Sequence, residues 1–303
     1  LAVTGHTDLG LGFAALQHLQ ALVPELEIVG AVGDLDVILR ARATKDEAEV
    51  EHIRARGKVT PEVAADLVDF LTAHRARNGV LIDEKGEALT IAEVKRRVNL
   101  WLAARGAENP EGTIFAIGRD AGIPHSSGTD RAPIEIGKTI VFDLFPCEAG
   151  GGYFYDFTRT WCLGHAPDEV LRAYEDVRAV QQEMAAALRA GATFHDYQRR
   201  TCERFEARGH PTVRGTPGTT DGYVHSLGHG VGLAVHEQPF TGYSDRSTDL
   251  LLPGSVVTVE PGLYYPERGF GVRIEDTIWI RPDGTPEVLA DFPREMLLKV
   301  QGA

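Results

Sequence analysis

The chain has 303 residues, 43% of them hydrophobic, and a formal net charge of −13. That is enough apolar material for a substantial core in one large domain or two smaller ones. The acidic balance argues against nucleic acid as a partner, because phosphate backbones are bound by clustered Lys and Arg. No apolar run approaches the roughly 20 residues that span a bilayer, and no signal peptide is visible, so a cytoplasmic protein with no membrane partner is expected. Cys147, Cys162 and Cys202 stand singly, with no CxxC pair. They read as buried apolar fillers rather than as a redox, zinc or disulfide framework.

Residues 1 to about 40 read as a fragment of an α/β unit: an apolar-periodic helix over 13–22, then a β-rich run over 28–32. From Thr44 the chain turns charged and helical, with Thr44 as the expected N-cap and acids in the first turn. Thr60-Pro61 predicts a restart or kink, since Pro favours the first helical position. Thr90-Ile91-Ala92-Glu93 has the form of a capping box opening a helix that ends near Gly106. Strands are predicted over 113–117, 139–145 and 153–161, and helices over 168–190 and 193–208, split at Gly191. The last third is β-rich, with strands over 256–260 and 271–280 and a hairpin turned at Pro282-Asp283-Gly284. Helices followed by strands thus occur twice, which favours an α+β fold of duplicated character over a parallel βαβ sheet.

Two stretches carry chemistry. In HSLGHGVGLAVHE, residues 225–237, His225 and His229 are four apart, the spacing of two zinc ligands on a helical face. Gly228, Gly230 and Gly232 argue against a helix, each costing about 1 kcal/mol relative to Ala. No Glu follows His225, and the GxGxG spacing is a poor dinucleotide loop. An irregular glycine-rich segment remains, and by itself it is as compatible with structure as with function. The acids add weight. Asp143 and Asp156 flank a glycine-rich turn, and Glu260 and Glu275 interrupt further apolar runs. A buried carboxylate is costly unless it is paired or coordinates metal. Four of them, with a histidine on a glycine loop, point to a metal cluster.

The order Asp…GYxxDxTRT…HxxGHGxG…VEPGLY…GVRIED resembles the pita-bread metallopeptidases, which include Xaa-Pro dipeptidases, Xaa-Pro aminopeptidases, methionine aminopeptidases and creatinase. The resemblance covers roughly residues 40–300 and implies a pita-bread fold of antiparallel sheets and surrounding helices. It implies that Asp143, Asp156, His229, Glu260 and Glu275 bind two divalent metals, with Asp156 and Glu275 bridging. The Asp143–Asp156 interval is longer than the family's by about two residues, and because strand side chains alternate, an even insertion keeps both acids on one face. Oxygen-rich donors without thiolate suit Mn²⁺ or Co²⁺, with Zn²⁺ also compatible. Two such ions about 3.5–4 Å apart hold a bridging water as hydroxide and polarise a scissile carbonyl.

GVRIED and TRT fit the Xaa-Pro branch, whereas methionine aminopeptidases carry His after the last glutamate. A methionine aminopeptidase-like enzyme and a non-catalytic interaction module are the weaker alternatives. The resemblance further implies Glu260 as general base and acid, and His236 as hydrogen-bond donor to the scissile carbonyl. It places His225 at the proline carboxylate or carbonyl, and His125 on the proline side. Arg273 and Tyr264 would orient ligands and relay protons. The substrate would be a proline-containing dipeptide or short peptide, and the active form a homodimer. Residues 1–38 are expected to be a remnant of an α/β N-terminal domain and 39–303 the catalytic domain. His6, His18, His52, His74, His165, His195 and His210 match no motif and are expected at the surface.

Overall fold

The structure, a computed structural model, describes residues 1–5, 7–31, 36–242 and 248–303. At the N-terminal end Ala2–Val3 pairs in parallel with Val29–Gly30 around the helix Leu9–Leu22. That helix starts four residues earlier than its periodicity predicts, because Asp8 accepts from Leu11 N–H at 3.0 Å. It buries none of its residues. Val32 and His6, both part of the sequence reading, lie outside the described residues.

The charged segment after Thr44 is the helix Glu47–Ala73, and its cap is Asp46 rather than Thr44. Asp46 Oδ1 accepts from Glu49 N–H at 2.9 Å while Glu49 Oε2 accepts from Asp46 N–H at 2.8 Å, a reciprocal pair that a carboxylate makes better at a helix N-terminus. The helix does not restart at Pro61, which lies inside it. Val50, Ile53, Val63, Ala64, Leu67 and Leu71 are all buried on one face, so the packing spans the residue that cannot donate. The helix Ile91–Ala104 begins at Thr90 as predicted, with Thr90 Oγ1 accepting from Glu93 N–H at 3.4 Å. Only half of the box forms, because the Glu93 carboxylate turns to Arg96 and Arg97 instead.

These two helices pack on a four-stranded sheet ordered Leu297–Leu298, Phe157–Leu163, Thr139–Leu144, Thr113–Ile117. The second helix pair, Asp168–Ala187 and Phe194–Glu206, covers the other half. There the strands run Glu237–Phe240, His229–Gly230, Val256–Val259, Asp276–Ile280, Pro286–Val288, beside the hairpin Gly262–Tyr265 with Phe270–Arg273. Helices followed by antiparallel strands therefore do occur twice, and the fold is α+β. The hairpin turn at 282–284 is present, closed by Gly284 N–H on the Arg281 carbonyl at 2.9 Å.

Two predicted strands are revised, and both revisions matter for the site. The expected strand over 153–161 starts only at Phe157, because Phe154 N–H bonds to the Gly232 carbonyl and Asp156 N–H to Thr277 Oγ1 rather than to a ladder. The run over 271–280 is two strands, Phe270–Arg273 and Asp276–Ile280, with different partners. At the break, Glu275 N–H crosses to the Thr158 carbonyl at 3.1 Å, joining the two halves of the molecule. The three cysteines are buried, and burial pushes the Cys162 thiol up to about 12, far from a reactive thiolate.

Candidate metal centre

Where the sheets meet, acids from distant parts of the chain converge. Asp143 lies one residue before the end of the Thr139–Leu144 strand and pairs across to Thr158. Asp156 immediately precedes that partner strand, two residues before Thr158. Glu260 directly follows the Val256–Val259 strand, and Glu275 occupies the break described above. His229 enters on the strand next to 256–259. Gly228 beside it has no room for a side chain, because a Cβ would collide with the Thr258 carbonyl oxygen. The glycines of this segment thus serve close backbone approach, and it forms neither a helix nor a phosphate loop.

The cluster is buried: Asp143 is 7% exposed, Asp156 4%, His229 5%, Glu260 4% and Glu275 1%. His229 Nε2 lies 3.2 Å from Glu260 Oε1 and 3.6 Å from Asp156 Oδ2. Asp156, His229 and Glu275 each offer a donor atom within 4.8 Å of the others. Thr158 donates to Glu275 Oε2 at 2.5 Å, and Thr258 to Glu260 Oε1 at 3.2 Å. Asp143 Oδ1 and Glu275 Oε1 are buried with no hydrogen-bond partner. Unsatisfied buried carboxylate oxygens beside such a donor group are what a cation site requires. Four carboxylate groups and one imidazole, without thiolate, suit hard divalent cations. The residues present therefore fit a divalent metal centre.

Electrostatics describe the same need. Burial, then repulsion from Asp143, pushes the Asp156 carboxyl well above its usual range. Glu275 is driven up likewise by burial and by Asp156, Glu260 and Asp143. Asp143 is raised by burial despite Arg273 Nη2 at 2.6 Å. Burial works against ionised Glu260 too, but His225, His229 and Arg273 outweigh it and hold the carboxyl at about 2. The Glu260 bond overcomes burial at His229 and lifts its ring to about 9. Without cations, such a cluster holds protons in their place.

The three other predicted histidines lie at shallower depth. His125 and His236 are exposed and His225 is half-buried. His125 Nε2 is 3.0 Å from His225 Nε2, and His225 Nδ1 is 3.5 Å from Glu260 Oε2. The His236 ring centre is 4.2 Å from that of His229. Burial lowers His225 to about 4, and burial with the charge of His229 lowers His236 to about 4, so both rings are neutral at pH 7. Arg273 is fully engaged: besides Asp143 it donates to Thr158 Oγ1 at 3.2 Å, Tyr264 Oη at 2.9 Å and the Pro124 carbonyl at 3.0 Å. The catalytic or relay part expected for Arg273 thus has a concrete frame: it ties an acid, a tyrosine and the loop before His125 together.

The sequence reading singled out no role for Arg159 and Asp276, which lie behind the cluster. Arg159 donates to the carbonyls of Glu275 at 2.8 Å and Thr158 at 3.0 Å, and to Asp276 Oδ1 at 2.8 Å. Gln181 and Arg294 complete Asp276 Oδ2 at 2.7 and 2.6 Å. A charged residue inside an apolar strand is a visible signal, but Arg159 reaches Glu275 and Asp276 across 116 and 117 residues. Of the histidines expected at the surface, His18, His52 and His165 are exposed. His74, His195 and His210 are half-buried and bonded, His210 bridging Tyr265 Oη at 2.6 Å and Asp176 at 3.1 Å.

Comparison with known proteins agrees with this geometry. Residues 51–282 match metallopeptidase family M24. A probable dipeptidase, PepE, of Mycobacterium tuberculosis is 30% identical over 282 residues, covering 93% of this chain and 67% of that protein. An Xaa-Pro dipeptidase of Pyrococcus furiosus is 33% identical over 263 residues, 86% of this chain and 67% of that one. The crystal structure of the prolidase from Pyrococcus horikoshii superposes with a TM-score of 0.79 at 28% identity, covering 98% of this chain and 75% of that one. An X-Pro aminopeptidase from Thermotoga maritima superposes with a TM-score of 0.77 at 27% identity, covering 97% and 72%. The chain belongs to metallopeptidase family M24 and has the pita-bread fold of its Xaa-Pro dipeptidase branch.

Proposed function

We propose that this chain is a dinuclear-metal exopeptidase that hydrolyses the Xaa-Pro bond at the N-terminus of dipeptides or short peptides. The observation that carries the reading is the depth profile of the site: a buried carboxylate cluster with orphaned oxygens, and histidines 125, 225 and 236 at its mouth. Asp143, Asp156, His229, Glu260 and Glu275 hold two divalent ions, Mn²⁺ first among the candidates and Co²⁺ or Zn²⁺ after it. When bound, the ions supply Lewis-acid polarisation of the scissile carbonyl and a water nucleophile active near neutral pH.

This chain's own residues do the rest. Glu260, ionised at neutral pH, takes the proton of the attacking water and delivers it to the leaving imino nitrogen. Neutral His236 donates a hydrogen bond to the carbonyl oxygen, where charge develops. A proline amide has no N–H to offer a strand-binding protease. His225 and His125 meet the proline side instead. Arg273 and Tyr264 keep Asp143 oriented. The same reading takes residues 1–38 as a remnant of an α/β domain, 39–303 as the catalytic domain, and a homodimer as the working unit.

The test is hydrolysis of Xaa-Pro and Xaa-Pro-Yaa peptides after chelation, and again after adding back Mn²⁺ or Co²⁺. The reading requires activity to vanish and return, and it separates dipeptidase from aminopeptidase by the peptide cleaved. Full activity in protein shown by elemental analysis to be metal-free would overturn the mechanism. No turnover with any divalent ion would favour a non-catalytic module. Efficient release of methionine from Met-Ala peptides would move the chain to the methionine aminopeptidase branch.

A further inference from the structure

The stretch that leads into the Glu47–Ala73 helix reaches the loop bearing His236. Glu237 is 3% exposed, and its Oε2 receives Arg42 Nη2 at 2.5 Å and Nε at 3.1 Å. Its Oε1 lies 2.5 Å from Lys45 Nζ, a lysine that is itself buried. Lys45 is anchored by its backbone, whose N–H donates to the Gly254 carbonyl at 2.8 Å. Glu237 Oε2 also accepts from Ala234 N–H at 3.3 Å, which folds the carboxylate back onto its own loop. Gly232 leaves the space this arrangement fills: a Cβ there would collide with Glu237 Oε1 and come within 2.7 Å of Lys45 Cε.

A buried ion pair is rarely a source of net stability, because desolvation cancels the attraction, and well-packed apolar residues often do as well. What such a pair does provide is orientation. Glu237 opens the Glu237–Phe240 strand and pairs with Gly230, next to His229. Glu237 directly follows His236, and its carboxylate also closes the bend by accepting from Ala234 N–H. Anchoring Glu237 from both sides therefore fixes the backbone that carries His236, whose ring meets that of His229.

We propose that Glu237, held by Lys45 and Arg42, is a positioning residue that fixes His236 over the mouth of the site. This rests on the reading of His236 as hydrogen-bond donor to the scissile carbonyl. Glu237 acts through its neighbour and needs no contact with substrate.

The experiment is steady-state kinetics on an Xaa-Pro dipeptide at saturating Mn²⁺, with metal content, for Glu237→Gln, His236→Ala and the double variant. Glu237→Gln keeps the shape and the acceptor for Ala234 but removes the charge. Its kcat should fall about tenfold with KM little changed, since the lost interaction forms in the transition state. Metal content should stay at the unsubstituted level. The double variant should be no slower than His236→Ala, because two changes that remove one interaction do not add. If Glu237→Gln does not fold with Lys45 left uncompensated, Lys45→Met/Glu237→Gln removes both charges and carries the same expectation. Unchanged kcat, lost metal, or effects that multiply in the double variant overturn the positioning role and leave His236 standing. Unchanged kcat in His236→Ala overturns the reading of His236, and this inference with it.

Discussion

Thr158 and Glu275 bond to each other twice: Thr158 Oγ1 donates to Glu275 Oε2 at 2.5 Å, and Glu275 N–H returns to the Thr158 carbonyl at 3.1 Å. The pair stitches the two halves of the fold together at the floor of the site. It also holds one oxygen of Glu275, while Oε1 is buried without a hydrogen-bond partner among the described residues. Glu275→Ala should therefore lower bound Mn²⁺, measured by elemental analysis, and abolish turnover while the fold survives. The metal-free variant should melt higher than the metal-free parent, because one of several mutually repelling buried acids is gone. Normal metal content and turnover in this variant would remove Glu275 from the site.

Proton release should accompany metal binding. Asp156 and Glu275 have raised pKa values, and His229 is raised to about 9, so the metal-free folded site holds protons at pH 7 that an unfolded chain would hold less of. Cations displace those protons. Calorimetric titration of metal-free protein with Mn²⁺ in buffers of different ionisation enthalpy should show a heat that depends on the buffer, with the sign of release. Heats independent of buffer would contradict the assignment of these three groups to the site.

The rings of His229 and His236 lie 4.2 Å apart, tilted to each other, yet their loss should have different effects. His229→Ala removes a buried donor of the cluster and should lower metal occupancy. His236→Ala, at the exposed rim, should keep metal and lose roughly 10²–10³-fold in kcat, the usual cost of one oxyanion donor. Metal content, melting temperature and kcat on both variants decide it, and two identical phenotypes would refute the division of roles.

Behind the cluster, burial opposes ionised Asp276, but Arg159 and Arg294 outweigh it and hold its carboxyl below the usual range. A depressed acid contributes stability that is complete above its unfolded value of 3.8 and is lost as pH falls through the lower folded value. Asp276→Asn should cost about 3–5 kcal/mol at pH 7, because Arg159 is left buried without its countercharge. It should also flatten the loss of stability as pH falls below 3.8. Denaturant melts across that range provide the check, and an unchanged acid limb would exclude Asp276 as its source.

What the sequence by itself determined is whatever depends on residues a few positions apart. Helix starts at Thr90 and Asp168, the strand over 113–117 and the turn at 282–284 are all written in caps, periodicity and turn residues. An acid in an apolar run is likewise visible without a structure, because burying it demands a partner. Only the tertiary structure decided which partner. Pro61 stays inside its helix because a continuous buried face spans it. The run over 271–280 breaks at Glu275 because its N–H finds Thr158, 117 residues away, and Glu237 finds Arg42 across 195. Contacts of that range leave no local pattern. They follow from how two sheets and four helices close on each other, and the chemistry of this site lies where they close.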